Sequence, residues 1–212
     1  MSSRLDDFRP PRDPDPVLVR RSDVGAAAWH GLHRDGALRP LWGDLARVAD
    51  VAETAELRAG ALAVAMPPRS VLARAAAVWV HTGRGRPARV DAYVRPGSRR
   101  GRPHPLRVVH ECALAPDETV LVGGVPVTTA ARTAVDVARW AAAAQAAPLL
   151  DALLAVGLDR DETLRVLASQ RGRHLVAARS RLSALFGADD AAPGAGQARI
   201  GGSWAALEPV IR

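Results

Sequence analysis

The chain has 212 residues, enough for one large domain or two small ones; 48% of them are hydrophobic but only 4% are aromatic. Its one cysteine, Cys112, excludes an internal disulfide and a multi-cysteine zinc site. No apolar run approaches the ~20 residues that a membrane helix needs. The first 16 residues contain no apolar signal segment, so we expect a cytoplasmic protein without a membrane partner.

The chain contains no lysine, so all 29 of its Lys and Arg residues are arginines, and the net charge is +7. Residues 1–50 hold eight arginines against eight aspartates, and residues 111–212 hold ten arginines against eleven acids. Residues 51–110 hold eleven arginines against three acids, mostly between Arg84 and Arg107. Because a genome-wide preference for arginine would not confine the excess to one segment, this stretch predicts a local patch of positive potential.

The first 50 residues predict an arm followed by a small DNA-binding unit. Residues 1–16 are rich in Pro and Asp, which is typical of a disordered arm. Residues 17–50 predict a helix that begins near Ser22 or Asp23, a turn at Asp35-Gly36 and a short β-ribbon over ALRPLWGDLARVA. A helix followed by a ribbon is typical of the end of a winged helix-turn-helix. The helix is poor in the polar side chains that read base edges, so we expect a degenerate winged helix.

Residues 51–187 predict an α+β domain, in which a small antiparallel sheet packs with a C-terminal helical bundle. One helix begins after Thr54, and a second is predicted from Ser70 to Gly83. Four strands follow, and the polar loop SRRGRPHP separates the first two; the strand sequences are ARVDAYV, LRVVHECAL, TVLVGG and VPVTT.

After Thr129 the apolar spacing becomes helical. Asp159 stands three residues before Glu162, which predicts a capped helix start. The last helix is expected to end at Gly187, and residues 188–212 predict a flexible tail.

The helix after Thr129 carries an arginine–aspartate row. Arg132, Asp136 and Arg139 fall at i, i+4 and i+7, so they share one helical row and can form an ion-pair ladder. Because no nucleophile or metal ligand stands beside them, we interpret Thr129 and this row as a structural anchor of the helix on the sheet.

No other pattern in the chain predicts catalysis, a cofactor or a metal. His30 and His33 are three residues apart but lack a third ligand. Cys112 follows His110, yet a buried cysteine acting as a small hydrophobic residue is the better interpretation. No glycine motif stands in the context that binds nucleotide phosphates. The prediction is a protein that is not an enzyme.

The basic segment and the ribbon supply the side chains expected to bind DNA. Guanidinium groups bind phosphates bidentately, and a loop between two strands can present several of them at once. A solvent-facing loop without a partner and a surface for an acidic protein stay open as alternatives. The predicted DNA contacts are Arg34, Arg39, Arg47, Arg95, Arg99, Arg100, Arg102 and Arg107.

Three stretches resemble one protein family. Residues 33–49 (HRDGALRPLWGDLARVA) are similar to its wing, and residues 70–83 (SVLARAAAVWVHTG) look like one of its helices. Residues 122–140 (VGGVPVTTAARTAVDVARW) resemble its most specific motif, with matches at Thr128, Thr129, Arg132, Thr133, Asp136, Ala138 and Arg139. On these stretches the chain resembles the AbiEi-like antitoxins of actinobacteria, and related proteins that carry a C-terminal Vsr-like endonuclease domain.

The resemblance implies a winged helix that binds operator DNA and a second domain that counteracts a nucleotidyltransferase toxin. The expected function is therefore a DNA-binding transcriptional regulator of a type IV toxin–antitoxin system, with double-stranded promoter DNA and a cognate nucleotidyltransferase toxin as partners. The alternative is a protein-interaction module whose DNA-binding half has decayed.

Overall fold

The computed structural model describes residues 17–98 and 102–191, except for the side chains of 188–191. The predicted arm, Arg99, Arg100 and residues 192–212 of the predicted tail lie outside the described residues. The predicted α+β class is confirmed, because helices and two small sheets share the described chain. No helix in these two ranges is long and apolar enough to cross a membrane.

Within the described residues, helices and strands are interspersed up to Thr128, and four α-helices follow. The α-helices are α1 (Arg21–Arg34), α2 (Ala55–Ala63), α3 (Arg74–Thr82), α4 (Ala130–Trp140), α5 (Ala143–Leu154), α6 (Arg160–Ser169) and α7 (Leu175–Ala191). The strands are β1 (Leu18–Arg20), β2 (Leu38–Trp42), β3 (Leu45–Val48), β4 (Val71–Leu72), β5 (Val90–Val94), β6 (Arg107–Glu111), β7 (Thr119–Val122) and β8 (Val125–Thr128). A 3-10 turn, Pro116–Glu118, precedes β7.

The N-terminal unit is a helix packed on a three-stranded sheet. The predicted ribbon is present as the β2–β3 hairpin, and β1 pairs with β3 to give the order β1-β3-β2. Trp29 of α1 packs between this helix and the sheet. α1 begins at Arg21, and Gly25, at φ 78°, interrupts its helical backbone. The winged helix-turn-helix stays a prediction, because the helical part of residues 17–50 is α1, which Gly25 divides into two short segments.

The larger sheet is mixed, so the prediction of an antiparallel sheet is wrong. Its strand order is β6-β5-β4-β8-β7, in which β5 pairs with β6 in parallel and β4 pairs with β8 in parallel. A parallel pair needs a long connection, and the segment of residues 95–106 between β5 and β6 supplies it. The basic loop is therefore a crossover and not the tip of a hairpin.

The start of α3 also differs from the prediction. Val71 and Leu72 pair with β5 and β8 as the central strand β4, so α3 begins at Arg74 and not near Ser70. A two-residue strand is too short to show a period in the sequence, and its pairing partners come later in the chain. The predicted helix end is confirmed, because Gly83 adopts the left-handed conformation at the C-cap.

One hydrophobic core joins the N-terminal hairpin to the larger sheet. Leu41, Trp42 and Leu45 pack in the same cluster as Leu62 of α2 and Trp79 of α3. The core therefore crosses the predicted domain boundary at residue 50.

A second core lies among the C-terminal helices and surrounds α4. Residues 131–139 of α4 are all buried, because α3, α5, α6 and α7 pack around the helix. The helix is thus the centre of the bundle and not an amphipathic surface helix. α7 continues through Gly187 to Ala191, beyond its predicted end, because its glycine stays in the helical region.

His81 ties α3 to the larger sheet and makes stability depend on pH. Its Nε2–H donates to the Thr128 carbonyl at 2.8 Å. Burial lowers the pKa of His81, the bond to Thr128 opposes this, and the charge of Arg58 lowers it further. The folded protein therefore binds this proton less readily than the unfolded chain does.

We expect the melting temperature to fall as the pH drops below about 6.5, the pKa of histidine in an unfolded chain. The contribution of neutral His81 to stability is fully present above that pH, and it is lost as the pH falls from the unfolded pKa to the lower pKa of the folded protein. In His81→Gln, whose amide can still donate to Thr128, this decline should be smaller, whereas His30→Gln on the exposed side of α1 should leave it unchanged. Equal pH profiles for His81→Gln and the parent would contradict the assignment; thermal melts between pH 5 and 8 measure it.

Candidate functional site

The junction of β8 and α4 positions the arginine row. Thr129 is the N-cap of α4, and its Oγ1 accepts a hydrogen bond from the Arg132 N–H at 3.3 Å. The Thr133 hydroxyl lies 2.7 Å from that of Thr128, so the first turn of the helix is held to the end of the strand. These bonds set the direction in which α4 leaves the sheet.

Arg132 is the centre of a buried ionic cluster, which we call the Arg132 hub (Arg132, Asp136, Glu118 and Cys112). Its Nε donates to Asp136 Oδ2 at 3.0 Å, as the sequence predicts, and its Nη1 donates to Glu118 Oε2 at 2.8 Å. Its Nη2 lies 3.1 Å from Cys112 Sγ. Arg132 is 2% exposed and Asp136 is fully buried, so the ion pair between these two side chains is shielded from water.

The electrostatics of the hub follow from this burial. Burial raises the pKa of Asp136, and the charge of Arg132 opposes the rise without cancelling it. Burial alone would lower the pKa of Arg132, but Asp136, Cys112 and Glu118 raise it above its ordinary value. Asp136 Oδ1 is buried and accepts no hydrogen bond from the described residues. The cluster is held together by one guanidinium that two carboxylates share.

Arg139 does not continue the ladder, so this part of the prediction is wrong. Its Nη1 donates to Gln170 Oε1 at 3.2 Å, and its Nη2 donates to the carbonyls of Arg171 and Arg173 at 3.0 and 3.1 Å. Gln170, Arg171 and Arg173 all lie between the end of α6 and the start of α7. Arg139 therefore joins α4 to the α6–α7 connection.

Glu118 is a member of the hub that the sequence does not indicate. It lies on the 3-10 turn before β7, is 7% exposed, and also accepts from Gln170 Nε2 at 3.0 Å through its other carboxylate oxygen. Its Oε2 accepts from the Ala115 N–H at 2.9 Å. The only sequence signal is an acid in a Pro-Asp-Glu turn, which is ordinary in exposed loops.

A cleft of about 590 Å³ opens beside the hub, and we call it the arginine cleft. Cys112 is half-buried and lines this cleft, so its interpretation as a buried hydrophobic residue is wrong. The Arg132 guanidinium attracts the polar sulfur to the cleft wall. The lining residues are Arg74, Tyr93, Glu111, Cys112, Ala113, Ala115, Glu118, Arg132, Arg139, Trp140, Ser169, Gln170 and Arg171.

The predicted DNA-binding arginines fall into different environments. Arg34 is exposed and lies 3.5 Å from Asp35, while Arg39, Arg95 and Arg102 are exposed. Arg99 and Arg100 lie outside the described residues.

Two other predicted DNA contacts have structural roles. Arg47 donates to the carbonyls of Val48, Ala49 and Val51. Arg107 Nη1 donates to the Ala65 carbonyl at 3.1 Å. Each guanidinium is half-buried and satisfies backbone acceptors, so neither is free to leave the protein surface.

The hairpin and the basic segment come together at one end of the larger sheet. Trp42 Nε1, at the end of β2, donates to the Pro87 carbonyl at 2.8 Å. The next residue, Gly43, lies against Leu106: a Cβ placed on this glycine would be 4.0 Å from the leucine Cδ1. Arg86 and Arg89 flank Pro87, and both are exposed.

We call this region the basic surface (Arg86, Arg89, Arg102 and the β2–β3 turn). The register of β5 on β6 places Val90 beside Arg107, which brings Arg89 next to the loop that contains Arg102. Arg95 follows the opposite end of β5, beyond a five-residue strand, so it does not belong to this surface. Arg86 and Arg89 are missing from the predicted set because only the parallel pairing brings them beside the loop.

Comparisons with known proteins show no family. No protein-family model matches the chain, and no curated protein matches it. A solved structure that is similar is that of the RV2827C protein from Mycobacterium tuberculosis, at 18% identity and a TM-score of 0.42, over 81% of this chain and 72% of that chain. A similarity at this level carries no argument, so function must be argued from the site.

Proposed function

We propose that this protein is a non-enzymatic regulator that binds duplex promoter DNA through the basic surface. The observation that carries the proposal is the contact of the β2–β3 turn with the basic segment, through Trp42 and Pro87. This contact brings the arginine-rich middle of the sequence beside a ribbon of the kind that winged proteins lay along DNA. The proposal includes an antitoxin role, which is supported by the resemblance of residues 122–140 to the AbiEi-like antitoxins.

The chemistry of the surface favours phosphates over base edges. Arg86, Arg89 and Arg102 are exposed arginines on loops, and guanidinium groups bind phosphate oxygens bidentately. The exposed face of α1 includes Ala26, Ala27 and Ala28, which offer no hydrogen bonds to bases. Phosphate contacts position a protein on DNA, so we expect binding with strong salt dependence and modest sequence preference.

The test is DNA binding by the triple variant Arg86→Ala/Arg89→Ala/Arg102→Ala, measured by fluorescence anisotropy on the upstream region of its own gene. If each arginine neutralises one phosphate, the slope of log affinity against log salt should become shallower by about 2.7, and affinity should fall at every salt concentration. The matched control, Arg165→Ala/Arg173→Ala/Arg179→Ala, removes the same charge from exposed positions on α6, α7 and their connection.

Three outcomes separate the candidate functions. Equal losses in the two triple variants would mean that net charge and not the basic surface binds DNA. Unchanged binding in the first variant would remove this surface from the site. Absence of DNA binding by the parent protein, together with co-purification of a nucleotidyltransferase encoded beside it, would support the protein-interaction module instead.

A further inference from the structure

We propose that the arginine cleft binds an organic phosphate of sugar-phosphate or mononucleotide size. This site goes beyond the proposed DNA binding, because it lies at the opposite end of β5 from the basic surface. Tyr93, near the end of that strand, and Cys112, which follows β6, both line it.

The cleft has the dimensions of a small-molecule site. Its volume of about 590 Å³ lies within the range of roughly 300–1,000 Å³ that is usual for ligand pockets. A neighbouring cleft of about 510 Å³ shares Tyr93, Cys112, Ala113 and Ala115 with it and adds Arg69 and Arg95. The two parts give room for a phosphate and for the organic group attached to it.

The charge of the lining favours an anion. Four guanidinium groups face two lining carboxylates, and Arg132 is already shared between Glu118 and Asp136. Within residues 17–98 and 102–187, no carboxylate lies within 4.0 Å of a guanidinium nitrogen of Arg74, Arg139 or Arg171. Arg139 donates to Gln170 and to backbone carbonyls, and Arg171 donates to the carbonyls of Ala168, Ser169 and Gln170, so these two contribute positive charge to the cleft rather than free donors. Their charge attracts phosphate, the anion to which the guanidinium fork is matched.

Backbone strain is concentrated around this site. In the described chain three residues other than glycine have a left-handed backbone: Arg69 at φ 58°, Arg74 at φ 51° and His174 at φ 61°. Arg74 lines the arginine cleft, Arg69 lines the neighbouring part, and the His174 ring packs on Trp140 at 5.2 Å. Such backbone conformations are energetically unfavourable and cluster at functional sites, where the strain is tolerated because it holds a functional side chain in position.

Arg74 is the side chain best placed to receive the phosphate. Its Nε donates to the Tyr93 hydroxyl at 3.2 Å, and its guanidinium lies 5.6 Å from the Tyr93 ring and 5.2 Å from the Trp140 ring. These contacts fix its direction and leave both terminal nitrogens without a hydrogen bond to the described residues. The Trp140 ring also contacts Arg139, at 5.1 Å, so it is not free to stack on a base. The phosphate, and not a nucleobase, is therefore the group that is recognised.

The test uses Cys112, the only cysteine of the chain, as a reporter inside the cleft. The rate at which N-ethylmaleimide alkylates Cys112 is measured by mass spectrometry with ribose 5-phosphate, AMP, inorganic phosphate, ribose or adenosine present. Near-saturating ribose 5-phosphate or AMP should slow alkylation about tenfold, since only free protein reacts when the ligand covers the thiol. Ribose and adenosine should not slow it. Equal rates with and without the organic phosphates, or protection by inorganic phosphate as strong as theirs, would overturn the proposal.

Arg74→Gly is the decisive variant, because glycine accepts the left-handed backbone without strain. We expect it to weaken phosphate binding at least about tenfold, by loss of a charged hydrogen-bonding partner, while the melting temperature is held or raised. Arg74→Lys keeps the charge but loses the two parallel donors of the guanidinium, so its phosphate affinity should lie between those of the parent protein and Arg74→Gly. The lysine variant replaces Arg74→Gly in the test if the glycine variant does not fold. Arg165→Ala is the remote control. Full protection of Cys112 in both Arg74 variants would refute the assignment.

The two proposals fail separately. Arg74→Gly is expected to leave DNA binding unchanged, and the triple variant of the basic surface is expected to leave the protection of Cys112 unchanged. A loss of DNA affinity in Arg74→Gly equal to that in the triple variant would make the cleft part of the DNA contact and would overturn the separate phosphate site.

Discussion

Replacing Arg132 with methionine is expected to lower the free energy of unfolding by about 3–5 kcal/mol, the usual cost of removing one partner from a buried ion pair. Arg132 is 2% exposed and serves Asp136 at 3.0 Å and Glu118 at 2.8 Å. Methionine fills a similar space but leaves two carboxylates without their cation. Asp136 is fully buried and cannot regain water without opening the packing around α4, whereas Glu118 lines the arginine cleft and keeps the hydrogen bonds from the Ala115 N–H and Gln170 Nε2.

The measurement is urea unfolding, followed by circular dichroism. Asp136→Asn in the Arg132→Met background should recover part of the loss, since it removes one of the stranded charges. Arg165→Met, on the exposed side of α6, is the matched control and should change stability by less than about 0.5 kcal/mol. A loss below about 1 kcal/mol in Arg132→Met would show that water reaches the hub and that α4 does not depend on it.

Replacing Trp42 with alanine is expected to cost about 3–5 kcal/mol, the usual range for removing a buried tryptophan. Trp42 is 5% exposed and packs with Leu62 and Trp79 in the core that crosses residue 50. Its Nε1 also donates to the Pro87 carbonyl, which is the contact that joins the hairpin to the basic segment. The substitution should therefore weaken DNA binding as well as stability.

Trp42→Phe separates the two contributions. It keeps most of the packing and loses the bond to Pro87, so about 1 kcal/mol of stability should be lost through the hydrogen bond. Stability comes from urea unfolding, and DNA affinity is measured under conditions in which each variant remains folded. Parental DNA affinity in folded Trp42→Ala would show that the basic surface does not need the hairpin. Equal stability losses in the two variants would show that the ring contributes no packing.

The arginine row shows which contacts of the site can be predicted from the local spacing of residues and which cannot. Spacing alone predicts the Arg132–Asp136 pair, because two residues four apart on a helix are neighbours whatever surrounds them. The partner of Arg139 is different: Gln170 and the Arg171 carbonyl are about thirty residues away along the chain. Glu118 reaches Arg132 only because the turn before β7 is folded against the start of α4.

What the sequence determined by itself is the set of local elements. Thr54, Thr129 and Asp159 cap helices, and Gly83 ends one, because each acts on backbone groups within a few residues. The tertiary structure alone decided that β5 and β6 run in parallel, that Val71 and Leu72 form a strand, and that α4 is buried on every side. These features depend on pairing and packing between distant segments, whose free energy no short window of residues contains. The arginine cleft belongs to this second class, since its walls come from β5, α3, α4, the residues after β6 and the end of α6.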